Sequence, residues 1–516
     1  MKTYDLVVIG SGVGLSVLSQ GISSGWSCAL IEMGKMGGTC LTRGCIPSKV
    51  LVHPADLIRE AEHAKKVGID FKVEKIDWER ISERMWHQIN ESNDIDAGLK
   101  NAKNLDVYRG IGEFTGKFEM KVKLPGGAFS DPFKGKRFVI ASGTRTAVPP
   151  IKGIDDTGYI TNETFFGEKF PKAPYGSLLI LGGGIIAAEF AHVFATMGTS
   201  VTIIEMLPRL VSTEEPEVSE VVEKTFRKHM TVLLNKKVVE ARRDNASGKK
   251  VLVLEDTRTN EKSEVTGDEI LLAAGRRSNS DLLKVEKCGI QIDQKGWIVT
   301  NEYLETNVPN VWCIGDANGK LQFRHKANME ADVCTGNIFS EHKEAVDYHG
   351  TPWAIFTWPQ VAHVGMTQEE AIKAGHEIFV AVKRYSSVAA GYAFGYDKED
   401  DDDGLVKLVV ARNRKILGAS IVGPQASVLI HPIVYLMKAG YECMMPDEKG
   451  KLQLVSTMAC PAAGVVTPLY QAQTIHPSLA EVVGWAVGAL RPVNIKVQGH
   501  QHQHQHQHQH EQDQGR

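Results

Sequence analysis

The chain has 516 residues and carries 59 Lys and Arg against 62 Asp and Glu, a formal net charge of −3. Its 42% hydrophobic and 23% charged residues are typical of a folded globular protein and exclude intrinsic disorder. The near-neutral charge predicts no general affinity for nucleic acid or membrane surfaces. No window approaches the roughly 18 consecutive apolar residues of a membrane span.

The two ends and the cysteine content set an expectation about location. Met1 leads directly into an apolar strand with no basic region or cleavage site, so we expect no secretory signal. The segment 500–516 alternates His and Gln at first, and we interpret it as an expression tag. The 8 Cys are mostly scattered and do not form a disulfide framework, so we expect a reducing, cytoplasmic location.

The N-terminal stretch predicts a dinucleotide-binding β-α-β unit. The apolar run 5–9 predicts a strand, and 28–32 predicts a second strand after a helical pattern. The turn after the first strand is rich in glycine, at Gly10, Gly12 and Gly14. Such a turn brings backbone N–H groups and a helix N-terminus close to a pyrophosphate, while the acid that closes the second strand, Glu32, binds ribose hydroxyls.

The third position of this glycine fingerprint is Leu15 instead of Gly or Ala. We expect Leu15 to loosen the packing of helix on strand and to leave the pyrophosphate turn intact. A second unit, which begins with the strand 178–182, has the full fingerprint at Gly182, Gly184 and Ala187, and Glu205 closes its second strand. An acid there favours a free ribose 2′-hydroxyl, so we predict NAD(H) over NADP(H), a preference that the nearby Arg209 weakens.

The remaining pattern predicts a third, different part of the chain. Residues 74–103 predict a long amphipathic helix, and buried strands are predicted at 138–143, 269–275 and 311–316. From about residue 350, alternating strands such as 405–410 mix with helices, which is typical of an α+β domain with an antiparallel sheet. We interpret the acidic run 399–403 as a solvated loop, with a cation site as the alternative.

Two dinucleotide units in one chain suggest one resident cofactor and one exchanging cofactor. A resident flavin would connect two-electron hydride transfer to the next redox step.

The most informative stretch is 37–49, which contains Cys40 and Cys45. In a regular helix, residues five apart are separated by roughly 8–9 Å at Cα, beyond the ~7 Å limit for a disulfide. A bridge therefore needs a distorted turn, which the surrounding glycines permit. A small, distorted and accessible disulfide is easily reduced, which favours a catalytic role. The alternatives are two independent buried Cys and a zinc site.

This stretch resembles the active-site signature of the class I pyridine nucleotide–disulfide oxidoreductases, which include dihydrolipoamide dehydrogenase and the glutathione, mycothione and mercuric reductases. The resemblance covers essentially the whole body, with matching motifs in family order at 10–32, 141–143, 182–205, 273–276, 315–316, 359–365 and 476–481. It implies an α/β fold with two Rossmann-like dinucleotide-binding domains, for FAD and NAD, and a C-terminal α+β dimerisation domain. The implied division is 1–150 and 286–348 for FAD, 151–285 for NAD, and 349–490 for the interface of a homodimer.

The resemblance also implies roles for individual residues. Cys40 would be the interchange thiol that exchanges with substrate, and Cys45 the thiol that lies against the flavin. His476 and Glu481 resemble the family's acid–base dyad, which the other subunit of the dimer supplies. Lys49 would lie near the flavin and pair with Glu189.

The cofactor contacts that the resemblance implies lie along both dinucleotide units, and it implies no metal. For FAD the positions are Gly10, Gly12, Gly14, Glu32, Gly38, Thr39, Lys49, Ser142, Gly143 and Asp316. For NAD they are Gly182, Gly184, Ile185, Glu205 and Gly275. The helix after Asp316 would direct its N-terminus at the flavin, and Phe323, Arg324 and His325 stand where the family usually has a small residue.

Within the family, dihydrolipoamide dehydrogenase fits best because it uses NAD⁺. Glutathione reductase usually prefers NADPH and often has Tyr where Ile185 stands, and mercuric reductase has a C-terminal Cys pair instead of the His-Pro ending. Mycothione reductase is similar near 325–331 and at the His-Pro end. The stretch 441–470 is longer than the family norm and contains Cys443 and Cys460, which are either ordinary apolar Cys or a second redox relay.

The sequence therefore predicts a homodimeric FAD enzyme that moves electrons between NAD(H) and a dithiol/disulfide substrate, with dihydrolipoyl groups as the expected substrate. The first alternative is an NAD(P)H-dependent reductase of a low-molecular-weight disulfide, similar to mycothione or glutathione reductase. An alternative of another class is a redox-inactive flavoprotein that acts as a sensor or structural partner. The complete set of redox and acid–base residues argues against it.

Overall fold

In a computed structural model of the chain, the structure describes residues 1–439, 443–446, 452–456, 464–466, 468–469 and 478–493. His476, Cys460 and the segment 500–516 lie outside these residues, and of Cys443 only the backbone strand is described. In the described part of the chain, no helix combines the length and the apolar character needed to cross a bilayer.

The N-terminal region contains nine strands and four helices. The strands are β1 (Lys2–Tyr4), β2 (Leu6–Ile9), β3 (Cys28–Glu32), β4 (Leu105–Arg109), β5 (Ile111–Gly116), β6 (Glu119–Lys123), β7 (Phe133–Gly135), β8 (Phe138–Ile140) and β9 (Thr144–Thr146). The helices are α1 (Gly14–Ser23), α2 (Gly38–Thr42), α3 (Cys45–His63) and α4 (Trp78–Lys100). Strands β8, β2, β3 and β4 lie side by side in a parallel sheet. Both β2 and β3 are buried throughout, as central parallel strands are.

Helix α1 packs directly on β2 because two glycines two turns apart face the strand. A Cβ on Gly14 would lie 2.7 Å from Val8 Cγ1, and a Cβ on Gly21 would lie 2.7 Å from Leu6 Cδ2. Leu15 is half-buried and packs against the same core cluster. The expectation that Leu15 loosens this packing is therefore wrong, because Gly14 supplies the close approach one residue earlier.

The next region of the chain again contains a four-stranded parallel sheet with helices. Its strands are β10 (Ser177–Leu181), β11 (Ser200–Ile204), β12 (Thr231–Leu233), β13 (Lys236–Arg243), β14 (Lys250–Asp256), β15 (Lys262–Gly267), β16 (Glu269–Leu272) and β17 (Arg276–Ser278). Its helices are α5 (Ile154–Thr157), α6 (Asn162–Phe165), α7 (Ile185–Thr196), α8 (Pro216–Arg227) and α9 (Ser280–Leu283). Strands β12, β11, β10 and β16 form a parallel sheet in that order, while β13, β14 and β15 form a separate antiparallel sheet.

The chain then returns to the first sheet. Strand β18 (Val311–Cys313) pairs in parallel with β8, and α10 (Arg324–Phe339) packs against α1. The first sheet therefore has the order β18-β8-β2-β3-β4. On this shared sheet we propose that 1–150 and 286–348 form one dinucleotide-binding domain, interrupted by the second domain at 151–285.

The C-terminal region is built on a different, antiparallel sheet. Its strands are β19 (Pro352–Ile355), β20 (Val361–Gly365), β21 (Ile378–Arg384), β22 (Leu405–Ala411), β23 (Ile416–Val422), β24 (Cys443–Pro446), β25 (Leu452–Ser456) and β26 (Arg491–Pro492). Its helices are α11 (Gln368–Lys373), α12 (Ala389–Ala393), α13 (Ala426–Leu429), α14 (His431–Lys438) and α15 (Glu481–Gly488). The six-stranded sheet has the order β19-β20-β23-β22-β21-β26, and β24 pairs with β25 apart from it.

The acidic run 399–403 is only partly solvated, so its interpretation as a simple loop needs correction. Lys66 Nζ donates to Asp400 at 2.9 Å and to Asp402 at 3.0 Å, which ties the run to the short turn after α3. Asp403 is fully buried and accepts hydrogen bonds from the backbone N–H and the hydroxyl of Ser386. Among the described residues, no group of three or more His, Cys, Asp or Glu is placed to hold a metal ion.

Candidate redox site

The two cysteines lie on either side of a break between two helices. Cys40 is in the last turn of α2, and Cys45 is the first residue of α3. Between them, Arg43 (φ −147°, ψ 14°) and Gly44 (φ −149°, ψ −116°) leave the helical conformation. This is the distorted turn that the spacing requires, and both cysteines are free thiols on its two sides.

The ionisation of the two thiols is shared between them. The hydrogen bond from Cys45, with the charges of Arg324 and Lys49, lowers the pKa of the Cys40 thiol to about 7 in spite of burial. The same hydrogen bond raises the pKa of the Cys45 thiol, because Cys45 then donates its proton to the Cys40 thiolate. At a pH above about 7 the reduced pair therefore holds one thiolate and one thiol, which suits thiol–disulfide exchange.

A partly buried ion pair lies near the cysteines on the sequence of α3. Lys49, four residues after Cys45 on α3, donates through Nζ to Glu189 Oε2 at 2.7 Å. Glu189 is 9% exposed on α7, and its Oε1 accepts the backbone N–H of Phe356 at 3.1 Å. The Lys49 ammonium also lies 4.5 Å from the centre of the Phe356 ring. The contact expected from the sequence is present, and it joins the two dinucleotide-binding regions and the C-terminal region at this point.

The first glycine turn is held against the cysteine segment. Glu32 accepts hydrogen bonds from the Ser11 backbone N–H at 2.8 Å and from its hydroxyl at 2.7 Å. Ser11 Oγ in turn accepts the Gly37 backbone N–H at 3.1 Å. A Cβ on Gly38 would lie 2.5 Å from Gly12 Cα, so only glycine fits where the two loops cross. Thr39 follows at once and is half-buried.

Groups on the same edge of the first sheet complete a cradle for a dinucleotide. Gly10 has φ 103°, and a Cβ there would overlap the carbonyl of Ala141. Ser142 Oγ is buried with no hydrogen-bond partner in the described part of the chain. Gly143 has φ 62° and open space beside it. Burial raises the pKa of Asp316, which accepts a hydrogen bond from Thr144 Oγ1 at 3.3 Å. An unpaired hydroxyl, a half-buried acid and a glycine turn fit the pyrophosphate and hydroxyls of FAD.

A buried charge network holds the loop next to Asp316, and the sequence pattern does not indicate it. Lys326 and Glu330, both fully buried, form an ion pair of 3.0 Å on α10. Lys326 Nζ also donates to the Gly315 carbonyl at 3.1 Å, and Glu330 Oε2 accepts the Gly315 N–H at 2.7 Å. This network fixes the loop that carries Asp316. A Lys and a Glu four apart usually indicate an exposed pair, so the spacing alone did not reveal it.

The second glycine turn repeats the geometry of the first. Gly182 has φ 108°, and a Cβ there would lie 2.5 Å from the Ala273 carbonyl oxygen. Glu205 accepts the Gly183 N–H at 2.6 Å and the Leu207 N–H at 2.8 Å. The other NAD positions surround this turn: Gly184 and Gly275 have open space where a Cβ would be, and Ile185 begins α7.

One member of the expected acid–base dyad can be placed. Glu481 is buried at the start of α15, and its Oε2 accepts the Ser478 N–H at 3.2 Å. His476 lies outside the described residues, as do Cys460 and most of the stretch 441–470. The dyad and the second redox relay therefore stay predictions.

Two family models match the chain along most of its length. The model for pyridine nucleotide-disulphide oxidoreductases matches residues 4–331, and the model for the dimerisation domain of these enzymes matches residues 351–449. The chain belongs to the pyridine nucleotide-disulphide oxidoreductases. Like other members of this family it uses FAD and a pyridine nucleotide, and the match to the dimerisation domain supports a homodimer.

Similar proteins in this family differ in substrate. Mycothione reductase of Mycobacterium tuberculosis is 31% identical over 503 residues, which cover 95% of this chain and all of the relative. Dihydrolipoyl dehydrogenase of Chlamydia muridarum is 30% identical over 501 residues, covering 96% and 97%. The solved Cu(II) complex of the HOCl-induced flavoprotein disulfide reductase RclA of Escherichia coli matches with a TM-score of 0.77 at 26% identity, covering 95% and 99%. The chain is therefore a flavoprotein disulfide oxidoreductase, and its substrate is a separate question.

Proposed function

We propose that this enzyme passes electron pairs between NAD(H) and a dithiol/disulfide substrate through a Cys40–Cys45 bridge, with dihydrolipoyl groups as the leading substrate. The observation that carries the proposal is the thiol pair across the break between α2 and α3. This pair lies on the segment whose Gly38 contacts the FAD turn at Gly12. A redox-active pair has to lie close to the flavin that it exchanges electrons with.

In the oxidative direction, the reaction begins at the substrate dithiol. The partner subunit's His476 takes the proton of one thiol, and the thiolate attacks Cys40. A mixed disulfide forms at Cys40, the Cys40–Cys45 bond breaks, and Cys45 leaves as a thiolate. The second substrate thiol then attacks the substrate sulfur of the mixed disulfide and gives its proton to the leaving Cys40 sulfur, which releases the cyclic disulfide. The electron pair now resides in the two enzyme sulfurs, which share one proton, and the other substrate proton is on the partner's His476.

The surrounding residues prepare the pair for its next oxidation. Bound FAD supplies the electron acceptor that hands a hydride to NAD⁺. Lys49, held by Glu189, places a positive charge next to the thiolate. The partner's Glu481 would orient the ring of the partner's His476, so that the other subunit supplies the whole dyad. Glu205 supports NAD over NADP, because its carboxylate ends the second strand where a ribose 2′-hydroxyl binds.

A second candidate function is the reduction of a low-molecular-weight disulfide by NAD(P)H. The mycothione reductase relative supports it, since that protein matches over its own whole length at 31% identity, against 30% for the dihydrolipoyl dehydrogenase of Chlamydia muridarum. The steps then run in reverse: the Cys40 thiolate attacks the substrate disulfide, one thiol leaves, and Cys45 closes the bridge to release the other.

Steady-state assays of the purified dimer separate these functions. Dihydrolipoamide with NAD⁺ should be turned over, and NADH should be preferred to NADPH in the reverse direction. A panel of small disulfides with both nicotinamides tests the second candidate. Absence of turnover with lipoamide in either direction would overturn the first choice of substrate.

The redox role itself has an independent test. Titration with dithionite should produce a two-electron-reduced form with a long-wavelength thiolate–flavin absorption band. If that band is absent, a sensory or structural flavoprotein becomes the better interpretation.

A further inference from the structure

The loop that packs on the NAD turn contains a strained residue. This anchor loop, residues 206–215, lies between β11 and α8. Val211 within it has φ 42°, a left-handed conformation that a β-branched residue rarely adopts. The Val211 N–H donates to the Gly183 carbonyl oxygen at 2.7 Å, and a Cβ on Gly183 would lie 2.8 Å from Leu210 Cδ2. The loop therefore packs directly on Gly183, and it leaves the neighbouring Gly184 open.

Glu214, near the end of the anchor loop, bonds to the C-terminal region. It is 2% exposed, its Oε1 accepts the Trp353 Nε1–H at 2.7 Å, and its Oε2 lies 3.6 Å from His363 Nδ1. The Trp353 ring is packed in turn, since it stacks on the His363 ring at 4.3 Å and on the Phe323 ring at 5.7 Å. The backbone N–H of Glu214 donates to the Val211 carbonyl oxygen at 2.8 Å, so this contact is one hydrogen bond away from the strained residue.

Glu215 makes a second buried connection to the same region. Its Oε1 accepts the Gln368 N–H of α11 at 2.6 Å, and its Oε2 accepts a hydrogen bond from Lys407 Nζ of β22 at 2.9 Å. The side chains of Lys407 and Glu215 are both buried. A strained backbone conformation persists only where its surroundings over-determine it. At Val211, the hydrogen bond to Gly183 and the two glutamate contacts provide that constraint.

We propose that Glu214 and Glu215 are positioning residues for NAD(H), because they hold the anchor loop in the strained conformation that packs on Gly183. The proposal rests on the proposed binding of NAD(H) at this glycine turn. Without the two contacts, Val211 relaxes toward negative φ and the loop leaves the turn. The affinity for the nucleotide then falls with the fraction of molecules whose loop is in place. The C-terminal region thereby influences nucleotide affinity from outside the NAD unit.

Trp353→Phe tests the contact, because it removes the N–H that Glu214 accepts and keeps a ring for stacking. Calorimetric titration of the oxidised holoenzyme with NAD⁺, and with ADP-ribose, which lacks the nicotinamide ring, measures binding directly. We expect both dissociation constants to rise about three- to tenfold, since a buried carboxylate oxygen loses its partner and the loop is partly released. Unchanged dissociation constants would overturn the proposal.

The matched control is Trp78→Phe, which makes the same change in another stacked tryptophan. Trp78 Nε1 donates to the Pro171 carbonyl oxygen at 3.1 Å, and the Trp78 ring stacks on the Phe170 ring at 5.6 Å. This variant should lower thermal stability and leave both dissociation constants unchanged. If Trp78→Phe weakened nucleotide binding as much as Trp353→Phe, the effect would be a general loosening and the proposal would fail.

Variants of Glu214 test the same contact from the other side. Glu214→Gln keeps an oxygen that accepts the Trp353 N–H, so NAD⁺ affinity should stay within about twofold of wild type. Glu214→Leu has no acceptor and should weaken binding as much as Trp353→Phe. Because both changes break one contact, the double variant should bind no more weakly than either single variant. Fully additive losses would contradict the role of this contact.

Turnover separates nucleotide binding from the later steps. In NADH-dependent reduction of an artificial electron acceptor, Trp353→Phe should raise the KM for NADH about three- to tenfold and leave kcat and flavin content unchanged. A fall in kcat with an unchanged KM would count against positioning. Gly182→Ala distinguishes the two levels of the proposal. If Gly182→Ala also leaves NAD⁺ binding unchanged, the NAD site itself is assigned wrongly, whereas an effect in Gly182→Ala alone refutes only the role of the glutamates.

Discussion

The two dinucleotide-binding units have the same glycine turn, but different parts of the chain lie over that turn. In each, a glycine of positive φ follows the first strand, Gly10 at 103° and Gly182 at 108°. In each, the acid that ends the second strand, Glu32 or Glu205, accepts two backbone N–H groups. These shared features form the pyrophosphate turn and hold it in place.

The difference lies in what covers the turn. The FAD turn is crossed by the cysteine segment, since a Cβ on Gly38 would lie 2.5 Å from Gly12 Cα. At the NAD turn, a Cβ on Gly184 would meet nothing within 4 Å. The FAD turn is covered by the cysteine segment, which suits a resident flavin. The NAD turn is open, which suits a nicotinamide that enters and leaves at each cycle.

The largest effect should come from removing one sulfur of the bridge while the cysteine segment stays packed on the FAD turn. Cys45→Ser removes the sulfur that closes the bridge but leaves Gly38 packed on Gly12. We expect disulfide turnover to fall by at least about a thousandfold, because no bridge can form. The flavin should stay bound, and NADH should still reduce it, as measured by flavin absorbance and by turnover with an artificial electron acceptor. Undiminished disulfide turnover would contradict the assignment of the pair.

The equivalent glycines should respond differently to the same substitution. Gly10→Ala places a Cβ against the Ala141 carbonyl and Gly182→Ala places one 2.5 Å from the Ala273 carbonyl oxygen, both at positive φ. Gly10→Ala should purify with less than about a tenth of the wild-type flavin per protein. Gly182→Ala should keep its flavin and lose about a hundredfold in kcat/KM for NADH, since strain of 1–3 kcal/mol falls on the NAD turn alone. Loss of flavin in both variants would show that the turns are not independent.

Substitution of Glu32 or Glu205 should have a smaller effect, and each should weaken the binding of one cofactor only. Glu32→Gln and Glu205→Gln each replace one of two accepting carboxylate oxygens by an NH2 group, which cannot accept a backbone N–H. We expect about a tenfold weaker FAD affinity in Glu32→Gln with an unchanged KM for NADH, and about a tenfold higher KM for NADH in Glu205→Gln with unchanged FAD affinity. Reconstitution of the apoprotein and steady-state kinetics measure the two quantities. The NADH preference over NADPH should shrink in Glu205→Gln only.

Much of the fold could be predicted because it rests on local patterns. The strands at 5–9 and 28–32 correspond to β2 (Leu6–Ile9) and β3 (Cys28–Glu32), since buried parallel strands are short apolar runs between glycines. The helix expected over 74–103 is shorter, Trp78–Lys100, because Asp77 caps its start through the Arg80 N–H.

The parts of the site that could not be predicted depend on contacts between distant segments. The buried pair Lys326–Glu330 has the spacing of an exposed helix pair, and only the packing of α10 shows that it holds Gly315. The stacking of the Phe323 ring on the Trp353 ring joins the start of α10 to β19, which the sequence does not pair. Neither pattern contains the information that decides its role.

Leu15 offers the smallest effect and tests how the glycine fingerprint works. If the third position set the helix–strand distance in the FAD unit, Leu15→Ala would restore the family pattern and stabilise the protein. Because Gly14 already gives the close approach and Leu15 packs on the core, we expect Leu15→Ala to lower the free energy of unfolding by about 1 kcal/mol. Thermal unfolding of the holoenzyme measures the sign, and flavin content should not change.

The same fingerprint position in the NAD unit should not tolerate a leucine. Ala187 occupies the same fingerprint position and is completely buried, and Ile186 stands where the FAD unit has Gly14. With no glycine one residue earlier, the small side chain at 187 has to provide the close packing of α7 on its sheet. Ala187→Leu should therefore cost about 1–3 kcal/mol through overpacking, although the same side chain is accommodated at position 15. If Ala187→Leu were harmless, the two units would share a looser packing rule, and the role of Gly14 would need another explanation.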